Sequence, residues 1–248
     1  KKINNFMQRE GDASIIPLFR ITYTFMLLVY FVWQGYVFKD VMHNNYNSIP
    51  YLELLGIEYF DFEMLSKIQI GFLVLLVFSC LGIATRFSLL GAAFLYSVLI
   101  GSNLSRNFLD LFSDQTSHSR ILVFYLLVTL AFLPSVTNYS FKNYLQNKTT
   151  QIKSFYWEEA LVILIICIPY FGAGYAKLVE SGFAWVMGDA IQSYMIVWKI
   201  LKRVSYPIFF IENKFSLIFM GVSTIIFECI LIFGLFHSRL RWIVLLMI

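Results

Sequence analysis

Charged side chains are scarce in this sequence. Asp, Glu, Lys and Arg make up 14% of its 248 residues, whereas an ordinary soluble domain carries roughly 25%. A soluble chain of this length needs a polar shell around its core, and so few charged residues cannot supply one. The mean hydropathy of +0.71 points the same way. Lipid must therefore cover much of the protein's surface.

Cysteine is also scarce, and the common catalytic motifs are missing. The three cysteines, Cys80, Cys167 and Cys229, lie in apolar segments, where a thiol packs as a small hydrophobic group. Their spacing indicates neither a disulfide framework nor a metal site. No phosphate-binding loop, zinc motif, nucleophile elbow or nucleic-acid module is present. We therefore predict a protein of the lipid bilayer with no metal centre and no nucleic-acid partner.

Long apolar segments are what the sequence does contain. A helix needs about 20 mostly apolar residues to cross the hydrocarbon layer, so we predict an all-α transmembrane bundle of about six to seven spans. Continuous apolar segments favour helices over the alternating strands of a membrane barrel. The predicted spans are residues 15–37, 68–84, 87–101, 121–136, 160–176 and 215–236, and residues 242–248 begin a seventh. Because the chain stops inside that segment, we expect one transmembrane domain over residues 1–248, truncated at its C-terminus.

Basic residues in the short loops predict the orientation of the bundle. Lys and Arg accumulate on the cytoplasmic side of membrane proteins. Here they precede the first span, separate the second span from the third and the fourth from the fifth, and follow the sixth. We therefore expect a cytoplasmic N-terminus. One basic cluster on the opposite side, Lys199, Lys202, Arg203 and Lys214, argues against this orientation.

The fifth predicted span ends in the sequence YFGAGYAKL, which places several small residues around Lys177. Small residues such as Gly174 let another helix or a ligand approach the backbone closely, and this leaves room beside Lys177. Trp185 and Asp189 follow, and we expect them to shape a pocket at the outer surface. The mixture of aromatic and polar residues in 183–198 is typical of a helix that lies along the membrane interface.

Four short patterns occur in an order that resembles a known membrane family. DASIIPLFR at residues 12–20 leads into the first span, LGIATR at residues 81–86 forms a turn, and a His-Ser pair at residues 118–119 opens the fourth span. The fourth pattern is YFGAGYAKL, followed by Trp and Gly. Together they resemble the membrane part of the vitamin K-dependent gamma-carboxylases and their bacterial relatives, the HTTM family, over nearly the whole chain.

That resemblance implies a reaction and two catalytic residues. Gamma-carboxylases use the oxygenation of reduced vitamin K to generate a strong base, which removes a proton from a glutamate side chain so that carbon dioxide can add. In those enzymes the lysine of the Ala-Gly-x-x-Lys-Leu pattern is taken to deprotonate the hydroquinone, and it corresponds here to Lys177. The matching histidine is His118. The resemblance thus implies a carboxylase-like lyase that uses a reduced vitamin K-type quinone, in a bacterial inner membrane or an equivalent one.

Each candidate residue also has a structural interpretation. Lys177 can extend from the end of its span toward the lipid headgroups, and His118 can satisfy loop carbonyls at the start of a helix. Charge inside a span is costly without a partner, so we predict that Arg20 and Glu228 are structural charges. Glu228 could pair with Arg20, Arg86 or Lys177.

Three functions therefore remain open. The first is a membrane enzyme that modifies or matures a peptide, protein or lipid at the outer face through Lys177, and it requires an amine beside a quinone-sized apolar cavity. The second is a non-catalytic membrane subunit that binds a partner protein and assists peptide maturation or export. It predicts a salt-bridged Lys177 and a closed pocket. The third is a transporter, for which spans broken by Gly or Pro are expected in both halves, and Pro169 is near one such position.

Overall fold

The computed structural model of the chain describes residues 10–35, 53, 60–106, 117–141, 153–179, 182–202 and 211–231. These ranges contain seven α-helices, which are α1 (Ile15–Gln34), α2 (Phe62–Leu81), α3 (Thr85–Arg106), α4 (Ser117–Phe132), α5 (Tyr156–Val179), α6 (Asp189–Lys202) and α7 (Lys214–Ile230). Two short 3-10 helices, Pro134–Thr137 and Gly182–Ala184, lie between them. The described residues include no strand beyond an isolated bridge between Glu10 and Phe155. The predicted all-α class is confirmed.

Four helices are long and apolar enough to cross a membrane: α1, α2, residues Thr85–Ser102 of α3, and α5. The prediction of six to seven spans is therefore too high for the part of the chain that the structure describes. The apolar part of α4, Ile121–Phe132, is too short, because a 3-10 helix starts at Pro134 and proline has no N–H to continue an α-helix. Helix α7 has 17 residues, and residues 242–248 lie outside the described ranges.

Local sequence signals fix both ends of α2. Asp61 caps the N-terminus by accepting a hydrogen bond from the Met64 backbone N–H (2.7 Å). At the other end Gly82 adopts φ 73°, and its N–H and that of Ile83 bond to carbonyls of the last turn. A Cβ at residue 82 would lie 2.7 Å from Ser140 Cα. Glycine is thus required for the left-handed turn and for the close contact, and the turn allows α3 to pack along α2.

The chain divides into two compact units, Lys1–Val162 and Ile163–Ile248. In the first unit α2 packs on both α1 and α3, and α4 packs on α3. Its core includes the ring of Phe31, which lies edge-on to Phe72 and Tyr96 at centroid distances of 5.2 and 5.9 Å. Such aromatic pairs add about 0.5–1.5 kcal/mol to the burial of their area. A single domain over residues 1–248 stays a prediction.

Two buried charges hold the 3-10 helix Pro134–Thr137 in the first unit. Arg20 of α1 is fully buried, and its guanidinium donates to two backbone carbonyl oxygens, the nearer that of Val136 (2.6 Å). At the start of the same 3-10 helix, the buried Glu158 carboxylate accepts from the Ser135 backbone N–H (3.0 Å) and hydroxyl (2.6 Å). Arg20, predicted to be a structural charge, is thus bonded to carbonyl oxygens rather than to a carboxylate among the described residues.

Candidate functional site

The second unit brings Lys177 and Glu228 together. Lys177 lies in the last turn of α5, where the C-terminal end of the helix favours a positive charge. Its Nζ donates a hydrogen bond to Oε1 of Glu228, which belongs to the last turn of α7. The two side chains are 20% and 11% exposed, so the ion pair is largely withdrawn from water. Of the three partners predicted for Glu228, the structure shows Lys177.

Glycine at position 174 makes this close approach of α5 and α7 possible. A Cβ there would lie 3.1 Å from Glu228 Cβ and 3.2 Å from Cys229 Sγ, closer than ordinary van der Waals contact. Gly174 precedes Lys177 by three residues and therefore lies on the same face of α5. A Cβ at Gly172 would meet no atom of the described residues within 4 Å. Gly174, rather than Gly172, is the small residue that lets α7 approach.

The indole ring of Trp185 covers the Lys177 ammonium. Nζ lies 4.8 Å from the ring centroid, which is within the range of cation–π attraction. The turn that contains Trp185 ends at Gly188, whose φ is 80°. The Trp185 carbonyl oxygen lies against α7 at Gly221, where a Cβ would be only 2.0 Å from it. Two glycines therefore allow the backbone at Trp185 to lie close to α7.

The second carboxylate oxygen of Glu228 has no hydrogen-bond donor among the described residues. Oε1 is bonded to Lys177, whereas Oε2 is buried and unpartnered. A buried acceptor without a donor costs about 1–3 kcal/mol, and more when the group is charged. We call Lys177, Glu228, Trp185 and Gly174 the Lys177 cluster. It offers an ammonium, an indole face and an unused acceptor in one place.

The family model of the HTTM domain matches residues 8–248. The chain belongs to the HTTM domain family. This match confirms the resemblance predicted from the four sequence patterns, and together with the four apolar helices it identifies an integral membrane protein. No curated protein and no solved structure matches the chain.

Asp189, predicted to shape the pocket of this HTTM protein, pairs with a different lysine. It lies in the first turn of α6, and its carboxylate accepts a hydrogen bond from Lys214 at the start of α7. Both side chains are more than half exposed, and exposed pairs of this kind contribute little to stability. The pair joins residues 25 positions apart, and no sequence pattern signals it. The role of Asp189 in a pocket stays a prediction.

His118, the second predicted catalytic residue, is the second residue of α4 in the first unit. Its side chain lies outside what the structure describes, so its predicted part in catalysis stays a prediction.

Gly221 is a residue that the sequence analysis missed. A glycine in the middle of an apolar helix was the signal available, because such a glycine often marks a close helix contact.

An apolar groove lies between α3 and α4 in the first unit of the HTTM fold. Its volume is about 540 Å³, and its lining consists of Leu90, Ala93, Phe94, Ser97, Phe124 and Val128. The enzyme hypothesis requires an amine beside a quinone-sized apolar cavity. The lining of this groove contains no amine, so the groove alone does not meet that requirement.

The Lys177 cluster has the chemical groups that a hydroxylated ring needs. Glu228 Oε2 can accept a hydrogen bond from a hydroxyl group, and Trp185 presents an aromatic face. The Lys177 side chain can donate a hydrogen bond to the oxygen of such a hydroxyl. These three residues would supply polar and aromatic contacts to the reduced vitamin K-type quinone that the family resemblance implies.

Proposed function

We propose that this HTTM protein is a membrane enzyme that modifies or matures a peptide or protein at the outer membrane face, with Lys177 as the proton-accepting group. The proposal rests on the largely buried Lys177 amine, held between the Glu228 carboxylate and the Trp185 indole at the end of a span. Ionisable groups inside spans are costly and mark functional sites. The loop charges and the resemblance support an outer-face site, a cytoplasmic N-terminus and a bacterial inner membrane as parts of this proposal.

Lys177 must lose a proton before it can accept one. The hydrogen bond from Nζ to Glu228 Oε1 provides the path, because the N–H bond can break as an O–H bond forms on Glu228. The neutral amine then takes a proton from the substrate and becomes an ammonium again, beside a neutral carboxylic acid. A neutral pair needs no hydration, so a site withdrawn from water tolerates this exchange.

A reduced vitamin K-type quinone, when bound, supplies an oxidisable hydroxyl group. The residues of the chain have separate tasks around it. Lys177 holds or moves the proton, Glu228 receives the proton that Lys177 releases, and Trp185 limits the access of water to the amine. Gly174 keeps Glu228 close enough for the transfer.

A non-catalytic membrane subunit that assists peptide maturation or export is the second candidate. The observation that favours it is the Lys177–Glu228 ion pair, because this hypothesis predicts a salt-bridged lysine. In that case the pair ties α5 to α7, and Lys177 is needed only for its charge.

Two variants separate the candidates. Lys177→Arg keeps the positive charge and can keep the pair with Glu228, yet a guanidinium stays protonated and cannot act as a base. The double variant Lys177→Glu with Glu228→Lys restores the pair with its charges exchanged. Each protein is co-expressed with candidate partner peptides, with reduced quinone and bicarbonate supplied, and the peptide masses are measured. The enzyme proposal expects a mass change with the wild type that both variants abolish.

The outcomes differ for the two candidates. A carboxyl-sized mass gain on glutamate identifies a carboxylase, and a different gain identifies another modification. Equal amounts of product with Lys177→Arg overturn the enzyme proposal. If peptide maturation is lost in a third variant, Lys177→Ala, but survives in Lys177→Arg and in the double variant, the non-catalytic subunit is supported. Elution of each solubilised variant as a single species is the control for folding.

A further inference from the structure

Glu228 uses one of its two carboxylate oxygens. The residue as a whole is 8% exposed, Oε1 is bonded to Lys177, and Oε2 is buried with no donor among the described residues. An ionised carboxylate can accept hydrogen bonds at both oxygens, and buried polar atoms in folded proteins nearly always have a partner. Oε2 is therefore an acceptor available to a donor from outside the described part of the chain.

Gly174 of α5 lies beside this oxygen. A Cβ at position 174 would lie 3.4 Å from Glu228 Oε2, so an alanine methyl group would occupy the position next to it. The glycine that allows α7 to approach α5 is thus also the residue of α5 that lies beside the buried Oε2. A ligand group that bonds Oε2 must therefore be small.

The charge of the cluster selects the kind of donor. The Lys177 ammonium and the Glu228 carboxylate balance each other, and a further charge beside a span would have no partner in the cluster and would be costly. A neutral O–H or amide N–H adds no charge and satisfies Oε2. We infer that the Lys177 cluster recognises its ligand through a neutral hydrogen-bond donor seated on Glu228 Oε2. The inference rests on the proposed function, since it takes the cluster as the ligand site.

Matched probes that differ only in the donor test this inference. Dodecanol is compared with dodecyl methyl ether, and N-dodecylacetamide with its N-methyl derivative, on the full chain in lipid nanodiscs. The readout is the protection of Lys177 from acetylation by acetic anhydride, measured by mass spectrometry at increasing probe concentration. Each donor probe can form a hydrogen bond to a charged group that its methylated partner cannot form. It should therefore protect Lys177 at a concentration about tenfold lower. The two pairs show whether a hydroxyl or an amide source is preferred.

Glu228→Gln should change the preference rather than only weaken binding. Its amide oxygen can remain bonded to the Lys177 ammonium, which places an NH₂ group where Oε2 was. The site then offers a donor, so the advantage of the donor probes should disappear or reverse in favour of the ether and the tertiary amide. A counter-ion with a purely structural role would not produce this reversal.

Gly174→Ala provides a second variant should Glu228→Gln fail to fold. Its methyl group fills the space beside Oε2, and the donor preference should be lost, whereas Gly172→Ala should retain it. Equal protection by donor and methylated probes in the wild type overturns the inference, and so does a preference that persists in Glu228→Gln. Binding and product formation are measured separately. A donor preference without any Lys177-dependent product would therefore contradict the proposed enzyme but support the ligand site. A Lys177-dependent product without a preference for donor probes would contradict only the inference about Glu228 Oε2.

Discussion

Replacing Gly174 with alanine should destabilise the contact between α5 and α7, whereas the same replacement at Gly172 should not. At position 174 the new Cβ would meet Glu228 Cβ at 3.1 Å and Cys229 Sγ at 3.2 Å. Glu228 Cβ is fixed to the backbone, so relief requires α7 to move by a few tenths of an ångström. Overpacking of this kind costs about 1–3 kcal/mol.

The comparison with Gly172 isolates that packing cost. Both alanines gain helix propensity, about 1 kcal/mol relative to glycine in water, and this gain cancels between two positions on the same helix. A Cβ at Gly172 would meet no described atom within 4 Å. The free energy of unfolding of Gly174→Ala should therefore lie about 1–3 kcal/mol below that of Gly172→Ala.

Equilibrium unfolding in mixed detergent and SDS micelles, followed by circular dichroism, measures this difference. The rate of Lys177 acetylation provides a local readout, because a displaced Glu228 should leave the amine more accessible in Gly174→Ala than in Gly172→Ala. Equal stability of the two variants, with equal acetylation rates, would contradict the close contact at Gly174 and the account of how the Lys177 cluster is assembled.

Two further predictions concern the first unit. Ser135→Ala removes the hydroxyl that donates to the buried Glu158 carboxylate at 2.6 Å and should cost about 1–3 kcal/mol in the same unfolding assay. Ser154→Ala is the matched control, because its buried hydroxyl has no partner among the described residues; equal losses in both variants would refute the role of the Ser135 bond. The second prediction is a pH dependence. The hydrogen bond with Lys153 lowers the pKa of Glu10 below its usual 4.5, and the same bond raises the pKa of Lys153 above 10.5. The pair should therefore stabilise the fold at neutral pH, and this contribution should be lost as the pH falls through the lowered pKa of Glu10 or rises through the raised pKa of Lys153. It should be small because both groups are exposed, and a stability difference between wild type and Glu10→Gln that is unchanged from acid to neutral pH would contradict it.

The membrane fold could be predicted because segment length and composition act locally. Helices α1 and α5 fall on predicted spans for this reason. The span over residues 121–136 was wrong in its length because it included Pro134. Hydropathy counts the apolar ring of proline, whereas the backbone has no N–H to offer the helix. The structure accordingly changes from α-helix to a 3-10 helix at that residue.

The sequence predicted that the buried charges need partners and limited those of Glu228 to three basic residues, but it could not identify the right one. The cost of charge inside a span required a partner for Glu228, and the choice of Lys177, 51 residues away, depends on how α7 packs on α5. Arg20 is bonded to carbonyl oxygens, which no side-chain pattern reveals. Helical spacing could have predicted that Gly174, rather than Gly172, lies on the face of Lys177, because only Gly174 lies one turn before Lys177.

The Lys177 cluster owes its geometry to three places where a side chain is missing. Gly174 admits Glu228, Gly221 admits the Trp185 carbonyl, and Gly188 supplies the left-handed turn between Trp185 and α6. A chain that needed α5 and α7 only as spans could place alanine or leucine at positions 174 and 221, which would suit the bilayer equally well. Alanine at either position should therefore leave membrane insertion intact while it separates the ammonium from its carboxylate or its indole. Loss of the Lys177-dependent product in such inserted variants would show that the spacing of the cluster, and not merely the presence of its charges, is what the function requires.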